Sequence, residues 1–209
     1  MKVKINIPNK LEEITLKQYQ KWLKIAEGKE DENFIKQKMI EIFCNIPLKQ
    51  VLQIKLSDVD IICQTINEVF EKKPVFKNKF VFNEIEFGFI PKLDDITLGE
   101  HIDLETYLND FEYMHKAMSV LYRPITYKNK DQYLIEDYEG SNKYNLENIS
   151  LDIALGASVF FWNLKKELLT NILNYLQTQT EVEIPQNLLD FLKNGDGINQ
   201  FTGYVKETY

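Results

Sequence analysis

Two cysteines, two histidines, a single arginine and eight glycines leave this 209-residue chain short of the usual materials for catalysis and phosphate binding. Cys44 and Cys63 each sit inside an apolar helical pattern, Ile-Phe-Cys-Asn and Ile-Ile-Cys-Gln. That setting predicts buried, reduced thiols in a cytosolic protein, not a disulfide. No Cys-x-x-Cys pair, no Gly-x-Gly-x-x-Gly or Gly-x-x-x-x-Gly-Lys-Ser/Thr loop and no Gly-x-Ser-x-Gly turn occurs, so redox, nucleotide and α/β-hydrolase chemistry lack a sequence signature. Long apolar runs are missing too. The longest uncharged one, residues 153–162, covers half a bilayer and runs into Asn163, Lys165 and Lys166, which predicts a buried core helix and no membrane span. Residues 1–8 alternate lysine with apolar side chains where a secretory signal would carry an apolar stretch. Positive charge is scarce as well: 32 acids face 25 bases, for a net charge of -7, and Arg123 is the only base that is not lysine. Nucleic acid is therefore not expected as a direct ligand, because a phosphate backbone demands a basic face.

Apolar residues make up 44% of the chain, enough for a real core without disulfides or a metal. Their spacing predicts an α+β fold, mostly helical, in one domain over residues 1–209. Val3, Ile5 and Ile7 alternate with polar residues before Pro8, as in an edge strand over 2–7. Thr15 is placed to cap a helix over 16–26 that Gly28 closes, and a second helix runs from Phe34 to about Asn45. A short helix over 48–54 follows, and Ser57 with Asp60 resembles a capping box for a fourth. After Pro74 the period changes to two, and Asn83-Glu84 separates two aromatic strands, a β-hairpin over about 74–91 with aromatics expected on both faces. Thr97 and Glu100 form another capping box, ahead of an apolar helical face from Leu108 to Leu121 that Arg123-Pro124 ends. Residues 127–138 are tyrosine-rich, with a strand near 132–136 that can join the hairpin. A long core helix spans about 150–177, where Ala154, Gly156, Ala157 and Ser158 would admit a neighbouring helix. Pro185 opens a short helix over 186–193, and residues 195–209 form an extended tail.

Chemistry-bearing residues are sparse. His101 and His115 lie fourteen residues apart, about 21 Å along an unbroken helix, so capping or solvent-facing roles suit them better than a shared metal. Asp94, Asp95, Glu100, Asp103 and Glu105 form an acidic cluster. Helix N-termini attract such residues, and a divalent-cation site is the competing reading. Asn194-Gly195-Asp196-Gly197 is not a calcium loop, because Leu192 and Gly203 occupy the positions where carboxylates are required. No cofactor is implied. The surplus is aromatic, with eleven tyrosines and thirteen phenylalanines. Core packing explains many of these, and partner contacts are the alternative, since such rings are enriched at interfaces.

The segment Phe87-Gly88-Phe89-Ile90-Pro91-Lys92-Leu93-Asp94-Asp95-Ile96-Thr97-Leu98-Gly99-Glu100-His101-Ile102-Asp103-Leu104 resembles poorly characterised proteins of tailed bacteriophages with AT-rich genomes, including crAss-like phages. Met114-His115-Lys116-Ala117-Met118-Ser119-Val120-Leu121-Tyr122-Arg123-Pro124-Ile125 and the opening Leu11-Glu12-Glu13-Ile14-Thr15-Leu16-Lys17-Gln18-Tyr19-Gln20 fit the same pattern. The resemblance implies a non-enzymatic structural protein of the tail or connector, assembled in the host cytoplasm, located in the virion and contacting other phage structural proteins. Homo-oligomers, including rings, suit such a role. Phe76, Phe80, Phe82, Phe87, Phe89, Tyr204 and Tyr209 are the expected contact residues. Two readings stand beside it: a cytoplasmic tail assembly chaperone absent from the virion, and a metal-dependent nuclease or hydrolase using Asp94, Asp95, Glu100 and His101.

Overall fold

Local capping chemistry decides where the first helices begin. The computed structural model describes residues 5–26, 28, 31–130 and 132–179, with the backbone alone for Lys165, Leu168, Leu169 and 172–179. Helix α1 spans Leu16–Ala26. Thr15 Oγ1 accepts the Gln18 N–H at 3.2 Å, and Gln18 Oε1 accepts the Thr15 N–H at 2.9 Å. This is a reciprocal capping box with glutamine at its third position. Helix α2, Glu32–Phe43, starts where the Asp31 carboxylate accepts the Asn33 and Phe34 N–H groups. Helices α3, Leu48–Val51, and α4, Leu56–Phe70, follow. Ser57 is not the cap of α4. The helix begins two residues earlier than a Ser57 cap would set it, because the Lys55 carbonyl already accepts the Asp58 and Val59 amides, and Ser57 turns its hydroxyl to Asp58 instead.

These helices meet on a chain of aromatic rings. Tyr19 lies 5.4 Å from Phe70, Phe70 lies 5.2 Å from Phe43, and Phe43 lies 5.8 Å from Trp22, in tilted or edge contacts that suit the ring quadrupoles. Phe111 joins Tyr19 at 5.1 Å and links this cluster to the second half of the chain.

The second half is built on a four-stranded antiparallel sheet in sequence order: β1 Lys79–Phe82, β2 Ile85–Phe89, β3 Tyr122–Asn129 and β4 Gln132–Ile135. Asn83 and Glu84 have φ of 49° and 67°, the conformation of a two-residue type I′ turn. The turn fixes Phe82 opposite Ile85 and Phe80 opposite Phe87. Opposed residues share a face, so Phe80, Phe82, Phe87 and Phe89 all point the same way, not to both faces as their spacing along the chain implied. The expected strand over 2–7 does not join this sheet. Ile5 and Ile7 pack partly against the core, but residues 5–9 belong to no strand, and Lys2, Val3 and Lys4 lie outside the described residues. Pro8 lacks an amide to pair, and the chain then tightens into a 3-10 turn at Leu11–Glu13.

Strand β3 begins five residues earlier than the tyrosine-rich segment indicated and includes Pro124, whose carbonyl still accepts the Glu136 amide at 3.0 Å. On the face away from the phenylalanines, Tyr133 lies over Gly88, where a Cβ would meet its ring at 2.4 Å. Its hydroxyl donates to the Phe89 carbonyl at 2.8 Å, binding β4 back across the sheet.

Helix α5, Leu98–Tyr107, carries the Thr97–Glu100 capping box as expected. Helix α6, Met114–Leu121, is nearly all buried, and α7 runs over Leu151–Gln179. Phe76 stacks on Phe160 at 4.3 Å and meets Phe89 at 4.9 Å, fastening the sheet to α7. The close neighbour at Gly156 is an extended segment, not a helix: a Cβ there would lie 2.6 Å from the Val75 carbonyl oxygen. A helix does approach two residues on, where Ser158 Oγ lies 3.5 Å from Met114 Sδ. The expected helix over 186–193 and the tail over 195–209 fall outside the described residues.

Candidate interaction surface

The acidic residues that could have formed a cation site are dispersed by the fold. Asp94 and Asp95 stand exposed on a 3-10 turn, and Asp95 reaches only Lys92, at 3.7 Å. Glu100 turns inward. One of its oxygens accepts the Thr97 amide at 2.6 Å and the other pairs with the Arg123 guanidinium, both side chains being almost wholly buried. Burial alone would raise the Glu100 carboxyl, but the Thr97 bonds and Arg123 outweigh it and hold the group below the usual carboxylate value. Asp103 accepts the Tyr138 hydroxyl, and Glu105 lies 3.7 Å from His101 Nε2 on an exposed helix face. Among the described residues, no group of three or more His, Cys, Asp or Glu is placed to hold a metal ion.

The histidines are separate too. His101 is on α5, while His115 on α6 lies with its Nδ1 3.2 Å from Gln20 Nε2. Burial disfavours the imidazolium and holds the His115 pKa below its ordinary value. Cys63 borders an open cavity of about 500 Å³ between α2 and α4, rimmed by Lys36, Asp60, Glu68 and Glu71. Burial pushes its thiol up to about 11, so it is a protonated, inert group at neutral pH. Cys44 is likewise buried and unpaired with any sulfur.

The five described aromatic residues expected at partner contacts, Phe76, Phe80, Phe82, Phe87 and Phe89, pack within the chain. Phe87 and Phe89 are 2% and 4% exposed, which corrects their reading as surface residues. Phe80 stacks on Phe87 at 5.5 Å, and Phe76, Phe80 and Phe82 pack partly against the same core. The physical reason is the common face set by the hairpin turn, which α7 and Tyr144 cover. Tyr204 and Tyr209 lie outside the described residues.

What remains exposed is largely aliphatic. Tyr127 and Leu134 face each other across β3 and β4 and are 58% and 61% exposed, and Ile85 and Val81 are exposed on opposite faces of the β1–β2 hairpin. Leu98 and Ile102, one turn apart on α5, are 74% and 51% exposed. Among the described side chains of α7, burial ends at Phe161 and the partly covered Trp162, and those of Asn163, Leu164, Lys166, Glu167, Thr170 and Asn171 are exposed. The helical backbone continues from there to Gln179, about 25 Å beyond Trp162.

No protein-family model, curated protein or solved structure matches the chain. The surface must therefore be read from its own chemistry. Among the described residues, no helix is long and apolar enough to cross a membrane. The Glu100–Arg123 pair is the feature that sequence reasoning missed. Its one visible signal is that the sole arginine follows the apolar run Val120-Leu121-Tyr122, a place where a charge must be paired if it is buried.

Proposed function

We propose that the chain is a non-enzymatic structural protein of the tail or connector region of a tailed bacteriophage, working through contacts with other phage proteins and with copies of itself. The observation that carries this reading is the exposed Tyr127–Leu134 pair on the sheet. Apolar side chains grouped on a sheet mark surfaces that another polypeptide covers. Support also comes from the ionisable residues, whose placement is explained by structural duties: Glu100 caps and pairs, Asp103 holds Tyr138, and both thiols are buried. The acidic balance fits protein partners better than nucleic acid. The resemblance of residues 87–104 and 114–125 to phage proteins supplies the biological setting.

Tyr127→Lys with Leu134→Lys tests the reading. Both positions are more than half exposed, so the fold should survive with its melting temperature nearly unchanged. The reading requires that the doubly substituted chain fail to enter phage particles that take up the wild type. Normal incorporation of the variant contradicts it, and so does a phosphodiesterase or phosphatase activity that disappears with Asp94→Ala and Asp95→Ala. The chaperone alternative differs in one observable, the absence of the chain from finished particles.

A further inference from the structure

We infer that His115 is a pH-sensitive latch on the seam between α1 and the 3-10 turn Phe111–Tyr113: the neutral ring keeps the seam closed through Gln20, and the imidazolium opens it. The inference is independent of the phage reading. Gln20 is a buried polar residue of α1, and its side chain reaches across the seam. Its Nε2 donates to the Phe111 carbonyl at 2.9 Å and to the Glu112 carbonyl at 2.9 Å. The two carbonyls take up both hydrogens of the amide and fix which way it points. His115 Nδ1 lies 3.2 Å from the same nitrogen. Beside a donor, Nδ1 must present its lone pair, so the neutral ring carries its proton on Nε2.

Protonation reverses the role of Nδ1. A second donor then faces the amide donor, and the acceptor beside it is the Glu112 carbonyl, which Gln20 already uses. Turning the amide over gives no relief, since Oε1 would then face both carbonyls. A buried N–H of Gln20 is left without an acceptor, which weakens the contact it belongs to. The charged groups around the ring do not offset this. Glu147, in the segment before α7, favours the imidazolium but is paired with Lys17 of α1 at 2.7 Å. The Glu112 carboxylate is turned to Lys24 at 2.5 Å, and Lys116 of α6 opposes a second positive charge. Burial is the largest influence and holds the closed ring below the ordinary value of 6.5, so the open seam takes the proton that the closed one refuses. The closed seam is therefore favoured above pH 6.5 and gives way as pH falls below it, the open-to-closed ratio rising by at most about tenfold per pH unit for one proton. The Leu16 and Lys17 amides stay bonded to the Ile149 and Glu147 carbonyls, at 2.9 and 2.7 Å, so the first turn of α1 keeps its place and the opening lies beyond it.

The test is a proton and nitrogen NMR titration of the full wild-type chain from about pH 8 to pH 5, with near-ultraviolet circular dichroism recorded alongside. The Gln20 side-chain amide and the His115 ring are expected to shift together with one midpoint below 6.5. Hydrogen-exchange protection, taken relative to the intrinsic rate at each pH, should fall in the 111–113 turn and hold at Leu16 and Lys17, while the dichroism stays that of the folded chain. In His115→Asn the Gln20 amide should no longer respond to pH. A Gln20 signal that stays still while His115 titrates overturns the inference, because the two groups are then uncoupled. A His115 midpoint at or above 6.5, or no titration down to pH 5, overturns it as well. So does loss of the near-ultraviolet signal with the same midpoint, since the whole fold and not the seam would then be opening.

Discussion

Gly156→Ala sets two effects of opposite sign against each other at the root of α7. In an open helix interior, alanine for glycine gains about 1 kcal/mol from backbone entropy. At Gly156 the added Cβ would lie 2.6 Å from the Val75 carbonyl oxygen, 3.0 Å from its carbon and 3.2 Å from Phe76 Cα. All three are backbone atoms of a segment anchored by the Phe76 stack on Phe160, so no side chain can swing aside. Overpacking of this kind costs about 3 kcal/mol, which leaves a net loss of about 2 kcal/mol. For a chain of this size that lowers the melting temperature by about 4–8 °C. Gly99→Ala is the matched control. Its nearest neighbour is a Tyr138 ring carbon at an ordinary 3.4 Å, so propensity should dominate and the melting temperature should stay level or rise. Thermal unfolding followed by circular dichroism reads both. If Gly156→Ala melts at or above the wild-type temperature, the 75–76 segment does not lie against α7 and the packing described here is wrong.

Other consequences are open to direct measurement. Arg123→Met leaves the Glu100 carboxylate buried without its guanidinium, and the urea midpoint should fall by the equivalent of about 3 kcal/mol; an unchanged midpoint would contradict the buried pair. Because the His115 pKa is lowered in the folded state, the unfolded chain takes up the proton first. Stability should therefore decline as pH falls below about 6.5, and His115→Asn should flatten that part of the curve; parallel curves for the two proteins would refute the assignment. Asp94→Ala with Asp95→Ala should shift stability by less than about 0.5 kcal/mol. Divalent cations should not change the melting temperature of the parent, and a cation-dependent rise that the double variant loses would revive the hydrolase reading.

Features encoded over three or four residues were legible in the sequence. The Thr97–Glu100 capping box and the helix start at Thr15 follow from side chains reaching backbone groups one turn away, and both formed as expected. The hairpin was equally local, since Asn83 suits the positive φ that its two-residue turn requires and the flanking strands alternate. Which way the aromatics pointed was harder to see. Counting along the chain puts even-numbered Phe80 and odd-numbered Phe87 on different faces, whereas a two-residue turn places them opposite each other. The start of β3 was hidden for a similar reason: residues 117–125, Ser119 and Arg123 included, form an unbroken buried or half-buried run that passes from α6 into the strand, so no exposed residue marks the change. The Glu100–Arg123 pair joins positions 23 residues apart, and the packing of α5 against α6, which runs straight into β3, brings them together. Ser57 lost its capping role because the Lys55 carbonyl started the helix two residues sooner.

The central proposal, that this chain is a structural part of a tailed bacteriophage, is tested most directly by quantitative mass spectrometry of purified particles of the phage proposed to encode it. The account predicts peptides of this chain in fixed proportion to the other tail and connector proteins, retained after the particles are washed. Abundant chain in the infected-cell lysate with none in the particle would contradict it.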